Sequence, residues 1–195
     1  STVGLSIGTS FEQYNGFFFS PELDFTQEDL TTNSNATTSL KKQEGSYSDF
    51  YFNYGLNYDT RDNVFNPKNG NIFIFNQELP LIATGNEIKN TLRISKYKPL
   101  NDSKDMIGKA SFYFSAINSI DGSDVRISKR SKVPYSRLRG FEKGKIGPID
   151  NGDYVGGNYA AAINFSTTLP GILSTLENLD FSYFIDAANV WGVDY

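Results

Sequence analysis

Between Phe50 and Tyr58 the chain alternates strictly. Phe50, Phe52, Tyr54, Leu56 and Tyr58 fall on one face; Tyr51, Asn53, Gly55 and Asn57 fall on the other. A period of two with one apolar and one polar face is a β-strand between an oily and a wet environment. The same reading recurs at Val3, Leu5 and Ile7, then at Phe17, Phe19, Leu23 and Phe25, where Pro21 predicts a bulge or an imperfect ladder. It is weaker over 71–79 and 87–98. It returns over Met106 to Ile117, over Tyr159 to Leu169, and at Leu179, Phe181, Tyr183, Ile185 and Ala187. These segments predict eight strands and no amphipathic helix.

The gaps between them carry a second signal. Those near 12–16, 60–70, 99–105 and 170–178 are fairly short; those near 27–46 and 118–157 are long, with 80–86 a short exception. Consecutive hairpin loops fall on opposite ends of an up-and-down sheet, so the long loops share one end. The pattern is that of an outer-membrane β-barrel, whose long loops face outside. A soluble sandwich or lipocalin-like barrel remains open from the pattern alone. On the barrel reading Phe112, Phe114, Ile163, Phe165, Phe181, Tyr183 and Ile185 face lipid with the Phe50 row, while Asn53, Asn57, Asn164 and Asp186 face the lumen.

Composition narrows the chemistry. The 195 residues include no cysteine and no histidine, which removes disulfides, thiolate metal sites and every Ser-His-Asp arrangement. The net charge of −4 comes from scattered charges of both signs, so no basic face argues for nucleic acid. Sixteen phenylalanines and twelve tyrosines stand in a chain whose mean hydropathy is only −0.40, which suits strands apolar on one face. No run is long and apolar enough for a transmembrane helix. The first residues, "STVGLSIGTS", lack the charged start and apolar core of a signal peptide and begin directly inside an alternating pattern.

Three short stretches stand apart from this periodicity: "YDTRDNVFNPKNG" at 58–70, "LRGFEKGKIGP" at 138–148 followed by "GGNYAAAINF" at 156–165, and "YFIDAANVWG" at 183–192. Singly they read as a polar turn, a loop and a strand with one inward aspartate. In this order and spacing they resemble the C-terminal barrel of BamA-type outer-membrane assembly proteins, the bacterial surface antigen family. The hallmark Arg-Gly-Phe, Ile-Gly-Pro and Gly-Gly-Asn elements correspond to Arg139, Gly140 and Phe141, to Ile146, Gly147 and Pro148, and to Gly156, Gly157 and Asn158. Leu138 stands where valine is usual. A turn of the form D-x-R-D…P-x-x-G is matched at Asp59, Arg61, Asp62, Pro67 and Gly70.

The resemblance implies an antiparallel up-and-down transmembrane barrel of sixteen strands. The chain supplies about eight consecutive ones, the seventh to fourteenth, as a partial barrel domain over 1–195 with a long extracellular loop at 118–157. The periplasmic POTRA domains lie outside it. The resemblance further implies a bacterial outer-membrane location and insertion of unfolded β-barrel client proteins into the bilayer, with accessory lipoproteins as partners. Neither a cofactor nor a metal is expected, and the reaction makes no bond, so no catalytic residue is expected. A two-partner secretion transporter and a passive porin are the alternatives. In such barrels the long loop folds into the lumen and its arginine reaches acidic residues on the wall. Asp186 faces inward by alternation alone, so Arg139 is expected to pair with it. Ser166, standing where relatives have a glutamate, is expected to supplement it as a hydrogen-bond acceptor.

Overall fold

In the computed structural model residues 1–169 and 181–193 are described. The strands are β1 (Thr2–Gly8), β2 (Phe11–Tyr14), β3 (Phe17–Leu30), β4 (Gly45–Asp59), β5 (Gly70–Ala83), β6 (Glu87–Pro99), β7 (Ile107–Ser119), β8 (Ile149–Asp150), β9 (Asp153–Tyr154), β10 (Tyr159–Leu169) and β11 (Phe181–Trp191). One short helix, α1 (Thr38–Lys41), lies between β3 and β4, and a single 3-10 turn spans Tyr135–Arg137. All pairing is antiparallel between sequence neighbours, in the order β1-β3-β4-β5-β6-β7-β10-β11, with β2 also on β3. The small β8–β9 hairpin stands apart inside the long loop.

All eight expected segments are strands, and the ninth in the sheet is an extension of the first. β1 and the start of β2 pair with β3 in one register, Gly8 opposite Glu22 and Phe11 opposite Phe19, and a shift of one residue follows between Glu12 and Tyr14. The break between β1 and β2 falls opposite Pro21, whose carbonyl still accepts from Thr9 N–H at 3.1 Å but which has no N–H to return. On its other edge β3 runs unbroken along β4, Pro21 opposite Tyr54. The irregularity expected at Pro21 is therefore confined to one side of the strand. Another irregularity lies on β5, where Leu81 bulges between Pro80, opposite Tyr51, and Ile82, opposite Phe50.

The described links at one end of the sheet are 15–16, 60–69 and 100–106; the other end carries 31–44, 84–86 and 120–158. The expected link at 170–178, and Leu179, fall outside the described residues. Among the described residues the ladder ends at β1 on one side and β11 on the other, so the sheet is open and not an eight-stranded barrel closed on itself.

Cross-strand register assigns each side chain to a face. Asn57 pairs with Ile74, Asn53 with Glu78, Ser95 with Ser111, and Asn164 with both Ser111 and Asp186; this is the inner face. The opposite face carries Leu5, Phe25, Phe165, Tyr183 and Ile185, all exposed. One row on that outer face is polar. Tyr54, Gln77 and Asn90 are consecutive cross-strand partners. The Tyr54 hydroxyl donates to Gln77 Oε1 at 2.9 Å and Gln77 Nε2 donates to Asn90 Oδ1 at 2.6 Å. The Gln77 amide is thus partnered at both its oxygen and its nitrogen along the sheet, and Asn90 through its oxygen.

The face assignment has a direct test. Phe112 is outward near the middle of β7, whereas Ser20 points into a polar cavity of about 410 Å³ beside Glu22 and Glu78. Phe112→Arg should cost about 2–4 kcal/mol of folding stability, the penalty for a cation at mid-membrane. Ser20→Lys should stay within about 0.5 kcal/mol, as for an ordinary wetted position. Urea titration of the folded barrel in lipid, read by gel mobility of unheated samples, checks both values.

Candidate functional site

The long loop 120–158 is drawn against the inner wall, and an arginine fixes it at two separate places. The first is Arg139. Its Nε donates to Asp186 Oδ2 at 2.7 Å and its Nη2 to Asp186 Oδ1 at 2.6 Å, a two-pronged contact that only the planar guanidinium makes. The Arg139 backbone N–H adds a third bond to Oδ2 at 3.1 Å. The guanidinium lies over the inward ring of Phe184, 3.6 Å from its centre. The carboxylate is 3% exposed but the arginine side chain 37%, because a polar cavity of about 210 Å³ opens beside it.

Ser166 lines that cavity but makes no hydrogen bond to the loop. It pairs with Phe184, one inward position closer to the turn end than Asp186, and so cannot reach the contact. The neutral helper is Asn164, directly opposite Asp186. Its Nδ2 donates to Asp186 Oδ1 at 2.9 Å and to the Arg137 carbonyl at 2.7 Å. The expected supplement thus moves from Ser166 to Asn164.

The glycines around the arginine act for different reasons. Gly140 has φ +84°, yet a Cβ there would meet nothing within 4 Å; it serves the backbone turn and not a crowded lumen. Gly147 (φ +112°) is wanted on both grounds, since a Cβ would stand 2.7 Å from Val190 Cβ on the wall. Pro148 O accepts from Val155 N–H at 3.1 Å, drawing the β8–β9 hairpin together. Ile146 packs on a small buried cluster in which Val133 and Leu138 from the loop meet Tyr113, Ala160, Ala162 and Val190 from the wall. Phe141 is exposed, so the apolar anchor beside Arg139 is Leu138.

Gly156, Gly157 and Asn158 join the loop to β10. A Cβ on Gly157 would sit 2.4 Å from Trp191 O. Its bare backbone exchanges two hydrogen bonds with Ser131, and Asn158 N–H donates to Gly192 O at 2.7 Å. The turn at 60–69 is organised from within. Arg61 clasps Asp59 through Nε (2.9 Å) and Nη2 (2.6 Å), and Asp62 Oδ1 accepts from Lys68 and Asn69 N–H. The Asn69 and Lys68 N–H groups hold the Asp62 carboxyl below the usual range. Gly70 (φ +105°) passes so close to Thr60 that a Cβ would stand 2.3 Å from its carbonyl oxygen. Pro67 lies within this turn. The turn motif and the loop motif are therefore separate constellations at opposite ends of the strands.

The second fixing point was not expected from the sequence. Arg126 Nη2 donates to Asp49 on β4, and Nη1 stands 3.4 Å from Glu28 on β3. The guanidinium lies 4.2 Å from the centre of the Tyr47 ring, and the Arg126 N–H reaches Glu87 Oε1 on β6 at 3.3 Å. Glu87 in turn accepts from the Tyr51 hydroxyl at 3.1 Å, and Lys129 lies 3.7 Å from Asp49. Ser128 and Ile127 extend the contact to Glu28 and to Gln43, and Ser39 donates to Asp150. The two long loops thereby lean on each other above the wall. Inward alternation identifies Asp49, counting back from Phe50, but Arg126 sits in irregular chain with no period to place it.

The two contacts differ in burial: Arg126 and Asp49 side chains are 4% and 1% exposed. Removing one partner of a buried pair costs about 3–5 kcal/mol, against under about 1 for an exposed one. Arg126→Ala should therefore free the loop more than Arg139→Ala. Limited proteolysis within 120–157 should be faster in both variants and fastest in the first.

Comparison with known protein families matches the Omp85 superfamily domain over residues 1–195. The sorting and assembly machinery component 50 homologs of Mus musculus and Homo sapiens are each 27% identical over 169 residues, which is 82% of this chain and 35% of each of those proteins. The crystal structure of BamA from Haemophilus ducreyi lacking POTRA domains 1–3 superposes with a TM-score of 0.86 at 22% identity, covering 98% of this chain and 42% of that one. The chain thus spans well under half the length of these relatives. Likeness to the solved structure establishes the antiparallel up-and-down barrel sheet as the shared fold. With the family match running from the first residue to the last, the chain belongs to the Omp85 superfamily.

Proposed function

We propose that these strands are the loop-bearing half of a barrel that assembles and inserts β-barrel proteins into an outer membrane. The observation that carries the reading is the Arg139–Asp186 contact, which pins a long loop inside the lumen. A passive pore gains nothing from a loop clamped into its channel, whereas a barrel that must stay sealed while its wall yields to a client gains a plug. The work is conformational: clients arrive unfolded, find paired backbone and a thin apolar band, and leave as closed sheets. The bilayer and unfolded barrel clients are the partners this reading requires, and accessory lipoproteins are further ones.

The setting is an outer membrane. The bacterial one expected from the sequence is supported in fold by the Haemophilus ducreyi protein, and the mammalian relatives carry similar sequence outside bacteria. A two-partner secretion transporter is the second reading, since a plugging loop serves export as well.

The experiment uses the full-length protein in liposomes, with assembly of an unfolded porin followed by its acquired resistance to heating in detergent. Arg139→Ala and Asp186→Asn should each slow client assembly, and the double variant should be little worse than either single one, as for two residues acting through one contact. Additive losses would separate the residues. Unchanged assembly combined with altered polypeptide export or ion flux would transfer the protein to the transporter or pore reading.

A further inference from the structure

Cations are rare on the outward face. Among the described strand residues they are Lys96 and Lys98, alternate positions on β6 at the turn end, both exposed and neither within ion-pair distance of a carboxylate among the described residues. Beside them the surface falls away. Lys98 pairs with Gly108 on β7, which pairs with Thr167 on β10. Lys96 pairs with Ala110, which pairs with Phe165. A hydrogen and a methyl group thus replace side chains on the middle strand of three, with Tyr183 and Ile185 of β11 rising beyond. The result is a trough of about 360 Å³ with an almost wholly apolar lining. Leu100 bounds it at the turn end, its side chain 2.9–3.1 Å from where a Gly108 Cβ would lie. Phe112, the next outward residue of β7, stands at the other end.

We propose that this trough seats one anionic phospholipid of the leaflet at the turn end. An acyl chain lies along Gly108 and Ala110, and the phosphate is held between the Lys96 and Lys98 ammonium groups. The seat rests on the outward face meeting lipid and is independent of what the barrel assembles. Alternate residues of a strand are roughly 7 Å apart, so two flexible lysine stems on one face converge on a single phosphate without displacing the backbone. Lysines near a membrane end reach the headgroup level in any case. A recess directly beside them converts that general attraction into a site, because the chain below the headgroup has a place of its own. The volume falls within the roughly 300–1,000 Å³ of ordinary small-molecule sites.

The test is native mass spectrometry of the full-length protein purified in micelles doped equally with phosphatidylglycerol and phosphatidylcholine. The wild-type protein should retain phosphatidylglycerol preferentially. The double substitution Lys96→Gln, Lys98→Gln should lower that preference by about fivefold for each lysine removed. Ala110→Phe, which keeps both lysines and fills the trough, should reduce retention of phosphatidylglycerol, with millimolar inorganic phosphate failing to displace the lipid from the wild type. Equal retention of the two lipids by the wild-type protein would overturn the proposal. So would an undiminished preference in Ala110→Phe, since the lysines would then be acting on headgroups from a surface without a seat. Gel mobility of unheated samples confirms that each variant is folded, and if the lysine variant is not, Ala110→Phe decides alone.

Discussion

Hydrocarbon offers a backbone no partner. Every N–H and C=O within the membrane must be paired by the chain itself, at several kcal/mol for each one left alone. Long antiparallel strands between sequence neighbours answer this, and the rest of the structure follows. The ladder fixes register, register fixes which face each residue occupies, and the faces then separate by solvent. Where the ladder is broken beside Pro21, the fault is confined to one edge of β3 and the other edge stays paired; the Leu81 bulge falls where β5 pairs with β4 alone, beyond the last β6 partner at Glu78.

A wide barrel leaves its interior without a core. The inner wall here is polar and carries carboxylates on β3, β4, β6 and β11 at Glu28, Asp49, Glu87 and Asp186. The loop answers with arginines and supplies the missing apolar filling through Val133 and Leu138. Its two arginine contacts are not equivalent. One is wet and aided by an aromatic face and an asparagine; the other is closed over by Tyr47 and backed by Lys129. A loop held at one dry and one wet point has a fixed base and a more easily released tip.

Much of this was legible in the sequence, because strands facing lipid on one side and water on the other write their faces into alternate letters. Eight of the sheet's nine strands were visible, β2 having fallen in the stretch near 12–16 read as a gap, and Asp186 could be placed inside the barrel by parity from Phe181 and Ile185. Parity gave no distance along the strand, however. Ser166 and Asn164 share a face, and only the cross-strand register shows that Asn164, and not Ser166, stands opposite Asp186. Irregular chain was the other blind region. Arg126 and Lys129 lie in a loop whose conformation is set by remote contacts to Asp49, Glu28 and Gln43, for which no local pattern exists. Phe141, conspicuous in the motif, is exposed, while the less conspicuous Leu138 is buried.

The outward row of Tyr54, Gln77 and Asn90 bears on how such a wall drifts over evolutionary time. Gln77 stands in the middle, accepting from one neighbour and donating to the other. Its loss would strand two polar groups in oil at once, whereas loss of either end strands one. Lineages shedding this row should therefore shed it from the ends inward, with Tyr54 or Asn90 turning apolar before Gln77 does. Sequences holding an apolar residue between an intact tyrosine and an intact asparagine should be scarce. The three positions form a unit of inheritance although they lie on three different strands.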